Sequence, residues 1–157
     1  MWLNGAFGVG KTSVAKELVA LLPDARLCDP ERIGSVMRRT FWRGRDYQDV
    51  PLWRTLAKRQ VGRVGRKGTA IVPMTVTSRD VFEQVTERAR VFLLTASEEV
   101  LRARIAESGE ALEWRSSQLD RCLAAFDTGG FGEPIETDTH TPAEVAASIA
   151  TRLDSVT

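Results

Sequence analysis

The stretch GAFGVGKT, residues 5–12, decides the fold of this chain. It fits the pattern G-x-x-x-x-G-K-[ST], and it stands between the apolar residues 1–4 and an amphipathic segment, residues 11–22. A glycine-rich turn between a strand and a helix points backbone N–H groups inward, where they bind anions together with the positive end of the helix. The stretch therefore predicts a phosphate-binding loop (P-loop) for a nucleoside triphosphate.

The residues of this loop have separate expected roles. Lys11 is expected to contact the β- and γ-phosphates as a point charge, and the Thr12 hydroxyl to ligate Mg²⁺. Backbone contacts to the nucleotide are expected from the whole stretch and the residue after it: Gly5, Ala6, Phe7, Gly8, Val9, Gly10, Lys11, Thr12 and Ser13. The expected cofactors are therefore ATP and Mg²⁺. Whether the protein transfers a phosphoryl group is a separate question.

Length and composition suit one globular unit. The chain has 157 residues, of which 43% are hydrophobic and 27% charged, so we expect a single domain over residues 1–157. No apolar run approaches the roughly 20 residues of a membrane span. Two cysteines, Cys28 and Cys122, are too few for a disulfide framework and are expected to be reduced core thiols. These features predict a cytoplasmic protein.

Strand and helix patterns alternate along the whole chain. Apolar runs predict strands at residues 1–4, 25–28, 69–74, 91–94 and 135–137. Helical periodicity predicts helices at residues 11–22, 51–64, 78–89, 98–106, 115–127 and 142–153, with Asp29-Pro30 opening another helix. Thr141 and Glu144 have the spacing of a capping box. The alternation predicts an α/β three-layer sandwich of about five parallel strands.

The charge is unevenly distributed. Residues 32–67 hold eleven basic and two acidic residues, a net charge of +9, although the whole chain has a net charge of +1. This segment is either a set of solvated helix faces or a cationic wall over an anionic ligand. Within it, MRRTFWRGR at residues 37–45 is either a solvated mobile loop or a cover for an acyl-bearing ligand or anionic lipid.

Six stretches together resemble one family, the tunicamycin resistance proteins. They are WLNGAFGVGKT at 2–12, CDPERIGSVMRR at 28–39, DVPLWR at 49–54, IVPMTV at 71–76, LDRC at 119–122 and PIETD at 134–138. The resemblance covers essentially the whole chain. It implies a P-loop fold similar to nucleotide kinases and small-molecule phosphotransferases, with a short lid at residues 107–114.

The resemblance also implies a function. It implies ATP binding and protection against tunicamycin, a nucleoside antibiotic, either by phosphorylation of the drug or by its binding and sequestration. Known relatives are longer at the C-terminus, where an amphipathic helix can attach them to a membrane. This chain stops at Thr157, so membrane-surface contact is not expected. A nucleic-acid partner is not expected either, because the basic segment has no matching motif.

Catalytic candidates follow from the kinase-like fold. Asp29 ends the second predicted strand and is the candidate general base, although it also suits a helix N-cap. Arginines near the lid are expected to close on phosphates and adenine, namely Arg102, Arg104 and, as a catalytic group, Arg121. The alternative is that they are exposed helix arginines. Asp138 and Thr139, after the last strand, are expected to border the adenine.

A substrate pocket is expected beside the third strand. Trp53 and Arg54 from the basic helix, Met74 and Thr75 from the strand end, and Asp29 are the candidate substrate-binding residues. The alternative for Trp53 is ordinary core packing. A P-loop enzyme commonly has an acidic residue ending this strand, but this sequence has no carboxylate there until Asp80. His140, the single histidine, is interpreted as a loop residue.

Overall fold

The computed structural model describes residues 1–30, 47–109 and 112–154. Its centre is a five-stranded sheet in the order β2-β3-β1-β4-β5, in which every neighbouring pair is parallel. The strands are β1 (Trp2–Gly5), β2 (Arg26–Leu27), β3 (Ala70–Pro73), β4 (Val91–Thr95) and β5 (Glu133–Glu136). The predicted five parallel strands are confirmed, and the P-loop follows the central strand.

Helices cover both faces of this sheet. They are α1 (Lys11–Leu21), α2 (Pro51–Gly65), α3 (Arg79–Thr86), α4 (Glu98–Ser108), α5 (Leu112–Asp127) and α6 (Pro142–Asp154), with a 3-10 turn at Tyr47–Asp49 before α2. Successive side chains of a strand point to opposite faces, so Trp2 and Leu3 enter different cores. The predicted three-layer sandwich is confirmed.

The two cores contain different helices. The first core buries Leu3 and Phe92 against α1, α4, α5 and α6, through residues such as Leu18 and Ile149. The second core buries Trp2 against α2 and α3, through Trp53, Val81 and Phe82 among others. Because the helices that flank the P-loop belong to the first core, the position of the loop depends on that core.

The prediction of a loop over residues 107–114 is wrong for most of that segment. α4 continues to Ser108, and α5 begins at Leu112, so most of residues 107–114 is helical. Gly109 ends α4 with a left-handed backbone at φ 63°, a conformation that glycine adopts without strain. The helix predicted after Asp29-Pro30 and the segment 37–45 lie outside the described residues.

The described part of the basic segment, residues 47–67, includes both paired and exposed basic side chains. On α2, Arg54 pairs with Asp80 at 2.8 Å and Lys58 with Glu87 at 3.3 Å, so part of its charge ties α2 to the neighbouring α3. Arg59, Arg63 and Arg66 are exposed. The longest described helix has 16 residues, and no helix in the described ranges is long and apolar enough to cross a membrane.

Candidate functional site

The P-loop turns tightly at the carboxyl end of β1. Gly5, Gly8 and Gly10 have φ values of 143°, 82° and 95°, which L side chains rarely adopt. A Cβ at Gly5 would lie 2.6 Å from the carbonyl oxygen of Leu94, whereas a Cβ at Gly10 would meet nothing within 4 Å. The first glycine therefore permits close packing on β4, and the last faces open space at the start of α1. This geometry fits a phosphate cradle.

A buried asparagine fixes the first turn of the loop. Asn4 is fully buried, and its Oδ1 accepts hydrogen bonds from the backbone N–H groups of Gly5 and Val76, both at 2.9 Å. Its Nδ2 donates to the Val76 carbonyl at 3.0 Å. The Thr75 hydroxyl donates to the Gly5 carbonyl at 2.8 Å. Asn4 was not among the predicted site residues, although a polar residue inside the apolar stretch MWLN was a usable signal.

The side chain of Lys11 lies against the loop. Its Nζ donates to the carbonyl oxygens of Gly5 and Ala6, at 2.9 and 2.8 Å, and lies 5.6 Å from the centroid of the Phe7 ring. Gly10 is the N-cap of α1 and has no side chain to satisfy the first N–H groups of that helix. A lysine ammonium, open glycine backbone and a helix N-terminus therefore converge as a nucleotide phosphate requires.

A cleft of about 400 Å³ opens beside the loop, between α1, the end of α4 and the turn from β5 to α6. Its lining consists of Gly8, Val9, Gly10, Ser13, Val14, Arg104, Glu107, Ser108, Thr137, His140, Pro142 and Val145. The Arg104 guanidinium donates to the Thr137 hydroxyl at 3.1 Å and to the Thr137 carbonyl at 2.8 Å. Arg104 thus lies beside the cleft, as its predicted role requires.

The turn after β5 lines the cleft with Thr137 and His140, and the predicted adenine contacts of Asp138 and Thr139 stay a prediction. The Asp138 carboxylate accepts the backbone N–H of Ser97 at 2.8 Å, so it holds the start of α4. Thr139 is exposed, and its hydroxyl lies 3.3 Å from Nδ1 of His140. The cleft instead contains Thr137 and His140, with Glu107, Ser108 and Pro142, which sequence reasoning missed. The position after the last strand indicates which turn borders the cleft, but the direction of each side chain cannot be predicted from it.

The remaining lid arginines lie apart from this cleft. Arg102 pairs with Glu98 and with Asp120, both at 2.7 Å, and these carboxylates raise its pKa and tie α4 to α5. This arrangement favours the alternative of an exposed structural arginine for Arg102. Arg121 is exposed on α5, and within the described ranges it has no hydrogen bond or ion pair. Its catalytic role stays a prediction.

Four of the predicted substrate-binding residues are buried or paired in this structure. Trp53 and Met74 are both 0% exposed, and the Trp53 indole donates to the Pro30 carbonyl at 3.2 Å. Thr75 is buried, and Arg54 is held by Asp80 and by the Gln48 carbonyl at 2.9 Å. For Trp53, the structure agrees with core packing, the alternative that the sequence left open. A substrate role for these four residues stays a prediction and requires them to move.

Asp29 lies at the same edge of the sheet as the P-loop. It directly follows Cys28, whose N–H pairs with the Ile71 carbonyl at 2.8 Å, and its side chain is half-buried. Burial of the Cys28 thiol, together with the negative charge of the neighbouring Asp29, raises the pKa of this thiol to about 11. The thiol is therefore protonated at neutral pH. β2 stands two strand positions from β1, which corresponds to roughly 10 Å.

The residues around the loop fit a nucleotide-bound metal better than a protein-held one. Among the described residues, no cluster of three His, Cys, Asp or Glu side chains could hold a metal ion. Thr12 is exposed at the start of α1. Mg²⁺ keeps several waters and commonly takes only one or two protein ligands beside phosphate oxygens. A Thr12 hydroxyl combined with phosphate oxygens meets that requirement.

An aromatic pair joins the P-loop to the start of α5. The rings of Phe7 and Trp114 meet edge to face with centroids 5.0 Å apart, and Trp114 remains 51% exposed. α5 reaches the loop again at Cys122, which belongs to the same buried core as Ala6 and Val9 of the loop. Burial raises the pKa of the Cys122 thiol. The first turns of α5 thus form a wall beside the phosphate cradle, which the sequence analysis did not predict.

Together, the parallel sheet, the glycine cradle and the docked lysine define a nucleotide-binding P-loop protein with a kinase-like fold. A family model described as an AAA domain matches residues 1–128, and the chain belongs to that family. A search of curated proteins gave no match.

Solved structures support the same class. The tunicamycin resistance protein of Deinococcus radiodurans is 26% identical, with a TM-score of 0.78, and the match covers 98% of this chain and 94% of that one. This confirms the resemblance stated from the sequence. A sugar kinase from Janibacter sp. and the shikimate kinase of Acinetobacter baumannii are each 18% identical with TM-scores of 0.68, covering 98% and 99% of this chain and 92% of each of those chains. At that identity they support the fold alone.

Proposed function

We propose that this protein binds ATP with Mg²⁺ and transfers the γ-phosphoryl group to a hydroxyl of tunicamycin or a related small molecule, and so confers resistance. The single observation that carries the proposal is the Lys11 ammonium docked at the glycine cradle, 2.9 Å from the Gly5 carbonyl. In kinases a lysine there neutralises the β- and γ-phosphates. The proposal treats residues 1–157 as one functional unit working in the cytoplasm, where ATP is available.

The remaining roles follow from position. The nucleoside end of ATP would occupy the 400 Å³ cleft beside Arg104, with its phosphates over residues 8–13. Asp29 would take the proton of the acceptor hydroxyl. That oxygen then bonds to the γ-phosphorus as the bond to the β-phosphate oxygen breaks, and ADP leaves. Thr12 would hold Mg²⁺, whose charge stabilises the phosphate oxygens.

Two observations support a tunicamycin-like acceptor. The similar structure from D. radiodurans is of a tunicamycin resistance protein, and the similarity extends over 98% of this chain. In addition, an exposed indole, Trp114, lies next to the P-loop, where an acceptor must approach. An aromatic side chain at such a place offers a surface for a flat or apolar group.

A second candidate function is ATP-dependent binding and sequestration of the drug without transfer. Thr75 favours it, because Thr75 follows β3 where P-loop enzymes commonly have an acidic residue that helps to hold Mg²⁺. Its hydroxyl already donates to the Gly5 carbonyl at 2.8 Å. Sequestration would require the nucleotide cradle but no general base.

Mass spectrometry of tunicamycin incubated with the pure protein, ATP and Mg²⁺ separates the two functions. Transfer predicts a mass gain of one phosphate, which Asp29→Asn abolishes while ATP affinity stays close to wild type. Sequestration predicts unchanged drug and tight drug binding only when ATP is present. Lys11→Ala should weaken ATP binding in both cases, and undiminished ATP binding by that variant would overturn both.

A further inference from the structure

We propose that the face of α5 formed by Trp114, Gln118 and Arg121 is the acceptor site, and that its ligand is an amphipathic small molecule with an apolar group and an anionic group. The apolar group lies on the Phe7–Trp114 pair, and the anionic group is held by Arg121. This inference rests on the proposed function, and within it narrows the acceptor to a related small molecule that carries an anionic group.

The apolar half of the site is open and lies at the P-loop. Phe7 belongs to the loop itself, its ring is within 5.6 Å of the Lys11 ammonium, and its edge-to-face partner Trp114 is 51% exposed. A large exposed aromatic held in place by a second ring is a pre-formed surface for an apolar ligand group. A ligand on it has its polar end within reach of a phosphate bound at Lys11.

The cationic half lies on the same side of the helix. Trp114 and Arg121 are seven residues apart in α5, which is close to two full turns, so their Cα atoms are about 10 Å apart along one face. Gln118 lies between them and Cys122 beside them, and Cys122 belongs to the core against which Phe7 packs. Arg121 is exposed, and the described part of the chain offers it no carboxylate partner. This arrangement fits an anionic group of a ligand.

The described residues of the other expected acceptor wall are packed or paired. Trp53 and Met74 are fully buried, and Arg54 is paired with Asp80 at 2.8 Å. An acceptor on the Phe7–Trp114 pair meets α5, where an exposed indole and an exposed guanidinium favour a ligand with one apolar and one anionic group. Its apolar and anionic groups should be separated by about 10 Å.

Two ligand series test the two halves separately. Isothermal titration calorimetry is performed on the full chain with Mg²⁺ and a non-hydrolysable ATP analogue, using hexyl, heptyl and octyl glucosides and the matching alkyl phosphates below their micelle concentrations. For the wild-type protein, affinity should rise by up to roughly fourfold per methylene. Alkyl phosphates should bind several-fold more tightly than glucosides of the same chain length.

Matched variants assign each effect to a residue. Trp114→Ala should remove the dependence of affinity on chain length and keep the preference for alkyl phosphates. Arg121→Gln should remove the preference for alkyl phosphates and keep the dependence on chain length. Leu112→Ala is the control, because Leu112 is a 44% exposed leucine on the same helix but about half a turn away from Trp114. It should leave both effects unchanged.

Each other result has a defined meaning. The inference is overturned if the wild-type protein shows no chain-length dependence, if Trp114→Ala retains it, or if Leu112→Ala weakens binding equally. Titration of the nucleotide analogue alone separates this outcome from failure of the proposed function. Normal nucleotide binding without alkyl-chain binding removes only the acceptor site, whereas loss of nucleotide binding by the wild-type protein contradicts the proposed function itself.

Discussion

At the scale of single residues, two arginines of α4 with similar sequence surroundings have different structural partners. Arg102 and Arg104 are two positions apart, which turns their side chains about 200° from each other around the helix. Arg102 therefore meets Asp120 of α5, and Arg104 meets Thr137 at the cleft. Sequence spacing placed both near the lid, but only the packing of α4 decides which one faces the cleft.

This difference predicts different effects on nucleotide binding. Arg104→Gln should weaken binding of a non-hydrolysable ATP analogue roughly tenfold, because it removes a charged hydrogen-bond donor from the cleft. Arg102→Gln, the matched control, should change the dissociation constant less than twofold. Calorimetric titration of both variants measures this, with thermal melting to show that each is folded. Equal losses in the two variants would contradict the placement of the nucleoside beside Arg104.

At the scale of elements, the start of α6 shows local sequence determining local structure. The predicted capping box is confirmed: the Glu144 carboxylate accepts hydrogen bonds from the backbone N–H and the hydroxyl of Thr141, at 2.7 and 2.8 Å, and the Thr141 hydroxyl accepts the Glu144 N–H at 3.3 Å. These bonds lower the pKa of Glu144. Val145 and Ile149 then bury the helix against the first core.

Removing this cap should destabilise the protein measurably. Thr141→Ala loses the hydroxyl that satisfies an N–H group of the first turn, at an expected cost of about 1 kcal/mol in the free energy of unfolding. In a chain of this length, that corresponds to a melting temperature lower by roughly 2–4 °C. Thr139→Ala, an exposed threonine two residues earlier, should stay within experimental error of wild type. An unchanged melting temperature for Thr141→Ala would show that the cap contributes no net stability.

The start of α5 shows where local sequence is insufficient. Periodicity predicted its first residue at 115, but the helix begins at Leu112, because Trp114 packs on the Phe7 ring more than a hundred residues away in sequence. β2 has only two residues, although the apolar run predicted a strand over residues 25–28. The strand and helix patterns and the capping box could be predicted because they depend on residues that are close together in the sequence. Contacts between distant segments could not be predicted, and these contacts form the candidate acceptor site.

At the scale of the whole molecule, one carboxylate connects three elements that the sequence separates. Glu133 of β5 pairs with Arg90, just before β4, at 2.8 Å and with Arg152 of α6 at 2.6 Å. The parallel sheet places Glu133 beside the start of β4, as the pairing of Phe92 with Glu133 shows. The number of strands was predictable from apolar runs, but this ion-pair network depends on strand order, which the sequence pattern does not encode.

The network predicts a pH-dependent contribution to stability. Hydrogen bonds from Arg152 and Arg90 lower the pKa of Glu133 below its ordinary value. A carboxylate with a lowered pKa in the folded state stabilises the protein above its ordinary pKa, and this stabilisation is lost as the pH falls through the folded-state pKa. Glu133→Gln should therefore melt at a lower temperature than wild type at pH 7, and the difference should shrink as the pH is lowered from 5 to 3.

Thermal melting followed by circular dichroism measures the melting temperatures of the variant and the wild type at each pH. Glu83→Gln, which removes an exposed carboxylate from α3, reports the effect of net charge alone. A difference between Glu133→Gln and wild type that stays constant from pH 7 to pH 3 would mean that the two arginines hold Glu133 no better in the folded protein than solvent does in the unfolded chain.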